Sequence, residues 1–147
     1  MSFAFFFPGQ GSQSLGMMNG FAEQAIVKAT FDEASAVLGQ DLWAMINGED
    51  AELIGQTVNT QPIMLAAGIA TYRAYLEAGG KIPSVVAGHS LGEYTALVCA
   101  GALSLHDGAS LVRARGQLMQ AAVERGVHRI WCPATHVGLR RAVLGRR

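Results

Sequence analysis

A serine between two glycines, placed where a strand gives way to a helix, is the sequence feature that most limits the fold. In the stretch PSVVAGHSLGEYTALVCAGALSL, an apolar run leads into Gly88-His89-Ser90-Leu91-Gly92, and a long apolar segment follows. Gly-x-Ser-x-Gly in this setting is typical of a nucleophile elbow, because glycines on both sides allow the backbone to reverse tightly around the serine. The alternative is a structural turn whose serine caps the helix.

The remaining patterns predict an α/β fold with parallel strands. The stretch FAFFF before Pro8-Gly9 does not alternate, and neither does the run at 84–87, so both are predicted to be buried strands. Helical patterns are predicted at 20–38, from 60–62 to Gly79-Gly80, at 93–102 and at 109–124, with at most one short helix in the polar connection before residue 60. This order favours helices on both faces of a parallel sheet, and two strands are too few to complete one.

The serine turn also predicts a chemistry. Ser90 would be the nucleophile, and the amide of Leu91 at the start of the following helix would be one donor to an oxyanion. Gly88, His89 and Gly92 would support the turn. The PGQGSQ loop follows the first strand toward the same sheet edge, so the main-chain amide of Gln10 is the candidate second donor. A phosphate-binding loop is disfavoured because the third glycine and the lysine are absent, whereas a purely structural glycine turn remains an alternative.

One arginine lies on the apolar side of the last predicted helix. At 100° per residue, Arg115 falls in the middle of an apolar arc, and Arg113 points the other way. The apolar arc consists of Leu111, Val112, Leu118, Met119, Ala122 and Val123. A guanidinium among apolar side chains needs an anionic partner, and its planar fork suits a carboxylate. That carboxylate could belong to Glu93 or to an acidic substrate, and the spacing does not separate the two.

Composition limits the partners and the compartment. The 147 residues are 50% hydrophobic and 15% charged with a net charge of zero, so no bulk charge favours nucleic acid or a membrane surface. No apolar run is long enough for a membrane span or a signal peptide, and no metal site is predicted. Two cysteines do not form a disulfide framework, so a cytoplasmic location is expected.

The zero net charge conceals an abrupt asymmetry. Residues 1–124 hold eleven acidic and five basic residues, for a formal charge of −6, whereas 125–147 hold six arginines and no acid, for +6. We therefore divide the chain at 124 and expect an atypical basic tail at 125–147. The interpretations of this tail are translation in another reading frame, a gene truncated by a sequence error, and a disordered segment. A genuine basic arm for an acidic partner is the alternative.

Four motifs together resemble the malonyl-CoA:acyl carrier protein transacylases. FPGQGSQ, TQPIMLA, AGHSLGEYTALVCAGALS and RARGQLMQ occur in that family's order and spacing, and the resemblance covers roughly residues 3–123. It implies the N-terminal part of an α/β-hydrolase-like acyltransferase core, without the family's ferredoxin-like subdomain. It also implies no bound cofactor: the substrate is malonyl-CoA, and the phosphopantetheine is carried by the partner, acyl carrier protein.

The resemblance assigns roles to the residues already singled out. Ser90 would carry malonyl as an ester, Gln10 and Leu91 would form the oxyanion hole, and Arg115 would bind the malonyl carboxylate, which favours the substrate alternative over Glu93. The pathway, fatty-acid or polyketide synthesis, is left open.

The resemblance also implies that a catalytic base is missing. None of His89, His106, His128 and His136 matches the family's catalytic histidine, and members of the family are about twice as long. This exact chain is therefore expected to be weakly active or inactive. The alternatives are a serine hydrolase or thioesterase using the same elbow, and a non-catalytic fragment.

Overall fold

The two predicted strands form a parallel pair that ends at the serine turn. The computed structural model describes residues 2–125 and the backbone of residues 142 and 143. Strand β1 (Ala4–Phe7) pairs in parallel with β2 (Val85–Gly88), with Phe7 opposite Gly88. A two-residue strand, β3 (Ala142–Val143), pairs antiparallel with β2, so the sheet order is β1-β2-β3 and β1 lies at one edge.

Six helices accompany these strands in the described part of the chain. Their bounds are α1 Ala25–Leu38, α2 Leu42–Asn47, α3 Ala51–Gly55, α4 Thr57–Glu77, α5 Leu91–Cys99 and α6 Leu105–Glu124, and a 3₁₀ turn spans Asn19–Phe21. Local capping sets several of these limits. The Asp41 and Asp50 side chains accept from Ala44 and Leu53 amides and start α2 and α3, and Gly39, in the left-handed region, ends α1.

Two helices begin three or more residues earlier than the sequence predicts. Ser104 accepts a hydrogen bond from the Asp107 amide at 3.0 Å, so α6 starts at Leu105 and includes His106 in its first turn. Helix α4 starts at Thr57 and holds Pro62 inside it. Proline lacks only one amide donor there, and the rest of this buried helix compensates for that loss. Helix α2 was missed altogether.

Most of the core is helical. The larger apolar cluster joins α1, α2, α4 and α6, with Phe31, Ile63 and Leu65 fully buried, while a smaller cluster of Phe7, Tyr72, Val86 and Ala96 lies against the sheet. Helices α4 and α6 approach closely at Gly116, where an added Cβ would lie 3.0 Å from the Thr57 carbonyl oxygen. These helices form the platform against which the β1–β2 pair is packed.

The predicted parallel α/β core flanked by helices is present, with two differences. The face of β1 that carries Phe6 is open, since this side chain is 68% exposed, so the expectation that both strands are buried on both faces is wrong for β1. The third strand is antiparallel, and no strand was predicted there. Among the described residues, the helices lack the combination of length and hydropathy that a membrane-spanning segment requires.

Candidate active site

Ser90 adopts the strained backbone expected of an elbow. Its φ of 55° and ψ of −113° make it the one non-glycine residue with positive φ among the described residues. Such a conformation costs on the order of 1–3 kcal/mol and persists only where the surrounding structure enforces it. The Ser90 side chain makes no capping bond to α5. The alternative of a helix-capping serine is therefore wrong.

Two glycines enforce this turn by close packing. A Cβ on Gly88 would overlap the Gly92 carbonyl group, and a Cβ on Gly92 would overlap the Phe7 carbonyl oxygen. The turn is closed by the Gly92 amide, which donates to the His89 carbonyl at 2.9 Å, and by the Glu93 amide, which donates to the Ser90 carbonyl at 3.2 Å. The Ser90 hydroxyl is left on the exposed side of this compact reversal.

The glycine loop after β1 passes directly beside the elbow. A Cβ added to Gly9 would lie 3.0 Å from the His89 carbonyl oxygen and 3.6 Å from Ser90 Cβ. The next residue, Gln10, donates through its side chain to Thr57 Oγ1 at 3.1 Å, which ties the loop to the start of α4. Leu91, the first residue of α5, is fully buried. The loop that carries Gln10 and the first residue of α5 thus lie next to the elbow.

Arg115 reaches the serine from α6. Its Nη2 donates to Ser90 Oγ at 2.9 Å, and its Nη1 donates to Gln61 Oε1 at 2.9 Å. The sequence left Glu93 and a substrate carboxylate as candidate partners. The contact with Ser90 places the guanidinium beside the predicted nucleophile.

Gln61 belongs to this arrangement and was missed as a site residue. It is completely buried in α4. Its Nε2 lies 3.1 Å from Met119 Sδ, and its Oε1 accepts the hydrogen bond from Arg115 Nη1. A glutamine inside the apolar run TQPIMLA has no periodic signature of its own. One feature of the sequence could have identified Gln61: an amide side chain within an apolar helical run needs hydrogen-bonding partners when it is buried.

The setting predicted for Arg115 is only partly correct. The apolar arc around it is largely exposed, whereas α6 packs through a narrower stripe of Leu105, Gly108, Ala109, Val112 and Gly116. Arg113, predicted on the opposite side, is half-buried and donates to Gln40 and to Asn59 Oδ1. Burial of Arg113 lowers the pKa of its guanidinium. Arg115 lies at the border between the packed stripe and the exposed arc.

Neither described histidine is bonded to the serine. Within residues 2–125 the hydrogen-bond partner of Ser90 Oγ is Arg115. His89 is exposed beside the Gly9 loop. His106 is bonded instead to its neighbour, with Nδ1 3.5 Å from Asp107 Oδ1. Hydrogen bonds from Ser104 and His106 lower the pKa of Asp107 at the start of α6. His128 and His136 fall outside the described residues.

Burial raises the pKa of Cys99 to about 12, so this thiol stays protonated and is a poor nucleophile.

Comparisons with known proteins agree with the four motifs. Residues 4–130 match the acyl transferase domain family. The malonyl CoA-acyl carrier protein transacylase of Escherichia coli O157:H7 is 49% identical over 145 residues, which cover 98% of this chain and 46% of that protein. This alignment reaches into the basic tail.

Solved structures confirm the fold. The acyl-carrier-protein S-malonyltransferase of Burkholderia pseudomallei superposes with a TM-score of 0.81 at 59% identity, covering 83% of this chain and 40% of that one. A malonyl transacylase solved in complex with its type II polyketide-synthase acyl carrier protein gives 0.80 at 52% identity, with the same coverage. This chain spans less than half the length of each of these relatives. On its sequence and its fold, the chain belongs to the acyl transferase domain family.

Proposed function

We propose that this chain is the nucleophile-bearing part of an enzyme that transfers malonyl from malonyl-CoA to the phosphopantetheine thiol of acyl carrier protein. The observation that carries the proposal is the 2.9 Å contact between Arg115 Nη2 and Ser90 Oγ. A cation this close to the nucleophile can hold the free carboxylate of a three-carbon diacid while its thioester carbon lies at the hydroxyl. The names of the relatives support the same substrates.

The transfer takes two steps through a seryl ester. Ser90 Oγ attacks the thioester carbon as its hydroxyl proton passes to a base, and the carbonyl oxygen becomes an oxyanion held by the main-chain amides of Gln10 and Leu91. The C–S bond then breaks, and coenzyme A leaves as the thiol with that proton. The carrier thiol then attacks the ester carbon, and Ser90 leaves with a proton. Both steps need a base, which we assign to the part of the longer relatives that this chain does not match.

The partner follows from the second step. Acyl carrier protein supplies the accepting thiol on its own phosphopantetheine, so the proposal includes no resident cofactor. One solved relative is itself a complex with an acyl carrier protein. The proposal also includes a cytoplasmic location, which fits the free thiol of Cys99. The division of the chain into a catalytic part, 1–124, and an atypical tail, 125–147, stays a prediction.

A second candidate is that the 147-residue chain is a non-catalytic fragment. It is favoured by the absence, among residues 2–125, of a histidine bonded to Ser90. A serine hydrolase has no comparable support, because it gives no use to a guanidinium beside the nucleophile.

The test is covalent loading of Ser90, measured by peptide mass spectrometry. The chain, alone and after co-refolding with the remaining polypeptide of a longer relative, is incubated with malonyl-CoA and quenched in acid. We expect a malonyl ester on the peptide containing Ser90 and its loss in Ser90→Ala. An ester elsewhere, equal labelling of the alanine variant, or no ester in either preparation contradicts the proposal.

The matched pair Arg115→Gln and Arg113→Gln tests the specificity. Both arginines lie on α6, but only Arg115 contacts Ser90. We expect Arg115→Gln to lower the loading preference for malonyl over acetyl at least about tenfold, which corresponds to about 1.4 kcal/mol. Arg113→Gln should leave the preference unchanged. An unaltered preference in Arg115→Gln would make Arg115 a structural residue.

A further inference from the structure

The guanidinium of Arg115 has one buried partner and one exposed partner. Its Nη1 donates to Oε1 of Gln61, which is completely buried in α4, and its Nη2 donates to Oγ of the exposed Ser90, each at 2.9 Å. The backbone of α6 is fixed at the same point, because a Cβ on Gly116 would lie 3.0 Å from the Thr57 carbonyl oxygen. The guanidinium is therefore held in place from the buried side.

The nitrogen that reaches Ser90 is the one that a carboxylate needs. A guanidinium offers two edges with paired donors, Nε with Nη2 and Nη1 with Nη2, because Nη1 lies on the side of Cδ. A two-point contact with a carboxylate on either edge therefore includes Nη2. The hydroxyl of Ser90 and the carboxylate of an acidic substrate thus draw on the same donor nitrogen of Arg115.

The Ser90 side chain is the partner that can move. The elbow fixes its backbone, with φ at 55°, but its side chain makes no capping bond to α5 and is exposed. Rotation about χ1 from one staggered position to another is enough to turn the hydroxyl away from Arg115. Gln61 has no such freedom, because loss of its bond to Arg115 would leave a buried amide oxygen unsatisfied.

An exchange of partners at Nη2 favours acyl groups that carry a negative charge. A hydrogen bond from a guanidinium to a carboxylate is roughly twice as strong as one to a neutral hydroxyl. A malonyl carboxylate can therefore replace Ser90 at this nitrogen and leave the hydroxyl free to face the thioester carbon. An acetyl group brings no acceptor, so the cation and the nucleophile stay bonded to each other.

We propose that the contact between Ser90 and Arg115 determines specificity, because the carboxylate of the incoming acyl group releases the nucleophile from the cation. The inference rests on the proposed function and adds a step to it: Arg115 binds the carboxylate and also keeps Ser90 bonded until a carboxylate arrives. Selection of malonyl then depends on two linked events at one nitrogen, and not on affinity for the carboxylate alone.

The test measures whether Ser90 competes with a carboxylate for Arg115. The probe is monomethyl malonate, which carries one carboxylate and an uncharged ester, and its affinity for the full 147-residue chain is measured by saturation-transfer NMR titration. We expect Ser90→Ala to bind the probe at least about threefold more tightly than the parent, because the competing hydroxyl is gone. The matched control is Ser110→Ala, which removes an exposed hydroxyl from α6 and should leave the affinity unchanged.

Further variants separate failure of this inference from failure of the proposed function. Ser90→Gly also removes the hydroxyl and accepts the positive φ, so it serves as a second variant if alanine perturbs the turn. Circular dichroism of both Ser90 variants should match that of the parent. Arg115→Gln should abolish binding of the probe.

Two groups of outcomes overturn the inference. If the parent and both Ser90 variants fail to bind the probe, or if Arg115→Gln still binds it, then Arg115 holds no carboxylate and the proposed function fails as well. If the probe binds equally or more weakly without the hydroxyl, the proposed function stands and only the inference fails, because Ser90 and the carboxylate then occupy Arg115 together.

Discussion

Ser90 holds a backbone conformation that its neighbours impose. The carbonyl groups of Phe7 and Gly92 occupy the space that side chains at 92 and 88 would need, so the reversal is possible only with glycine at both positions. The cost of the positive φ at Ser90 is offset by this packing together with the β1–β2 pairing that ends at the turn. The result is an exposed hydroxyl on a rigid support.

Gly88→Ala should therefore be severely destabilising. Its Cβ meets backbone that cannot move without breaking the turn, so we expect a loss of at least about 3 kcal/mol in the free energy of unfolding, the upper end for overpacking. Gly55→Ala is the matched control, because nothing lies within 4 Å of its added Cβ; in a helix it should be neutral or stabilising by up to about 1 kcal/mol. Urea denaturation measures both, and equal midpoints would show that the turn tolerates a side chain.

Gln61 shows what sequence patterns do not reveal about a site. Ser90, Gly88 and Gly92 follow from a motif, and Arg115 is conspicuous because a charge stands in an apolar arc. Gln61 becomes significant only when α4 and α6 are brought together and its amide is seen to hold Arg115 Nη1. No local pattern encodes a contact between residues 54 positions apart.

At the scale of elements, α6 shows the limit of helical periodicity. The sequence correctly predicts an amphipathic helix, but the apolar arc that it selects shares only Val112 with the packed face, because a hydrophobic pattern gives most weight to large apolar residues. The helix instead packs on α4 through small ones, since Gly108, Ala109 and Gly116 allow a close approach. Leu111, Leu118, Met119 and Val123 are left with exposures of 40–73%.

Two substitutions on α6 distinguish these faces. Leu118 is 73% exposed, so Leu118→Glu should change the free energy of unfolding by less than about 0.5 kcal/mol. Leu105 is 4% exposed and belongs to the packed stripe but not to the predicted arc, so Leu105→Ala should cost about 2–5 kcal/mol. Thermal or chemical unfolding of the two variants gives the comparison. A large loss in Leu118→Glu with a small one in Leu105→Ala would restore the face that the periodicity predicted.

The elements that the sequence predicts well are those with strong local signals. Strands β1 and β2 are short unbroken apolar runs bounded by proline or glycine, and the elbow fixes their relation to α5. The start of α4 was misplaced because Pro62 resembles a first-turn proline, whereas the helix has already begun at Thr57. The open face of β1 could not be predicted, because an apolar run reports a preference for burial and not the presence of a covering segment.

At the scale of the whole molecule, stability is distributed unevenly. The helical cluster is the larger of the two and is well buried, with Ile63, Leu65 and Ile69 of α4 exposed by no more than 2%. The sheet cluster is small and depends on β1, which is paired on one side and open on one face. The site lies at the boundary, since Ser90 follows a strand while Arg115 and Gln61 belong to the helices.

Hydrogen exchange should resolve this division. Amides in the middle of α4 open only with the helical core, whereas amides of β1 open when a single strand pairing is lost, so we expect β1 to exchange at least about 100-fold faster, equivalent to about 2.7 kcal/mol. Mass spectrometry of peptides from the native 147-residue chain measures both segments, and β2, paired on both sides, is the internal control. Equal protection of β1 and α4 in the chain alone would mean that the sheet and the helices unfold as one cooperative unit.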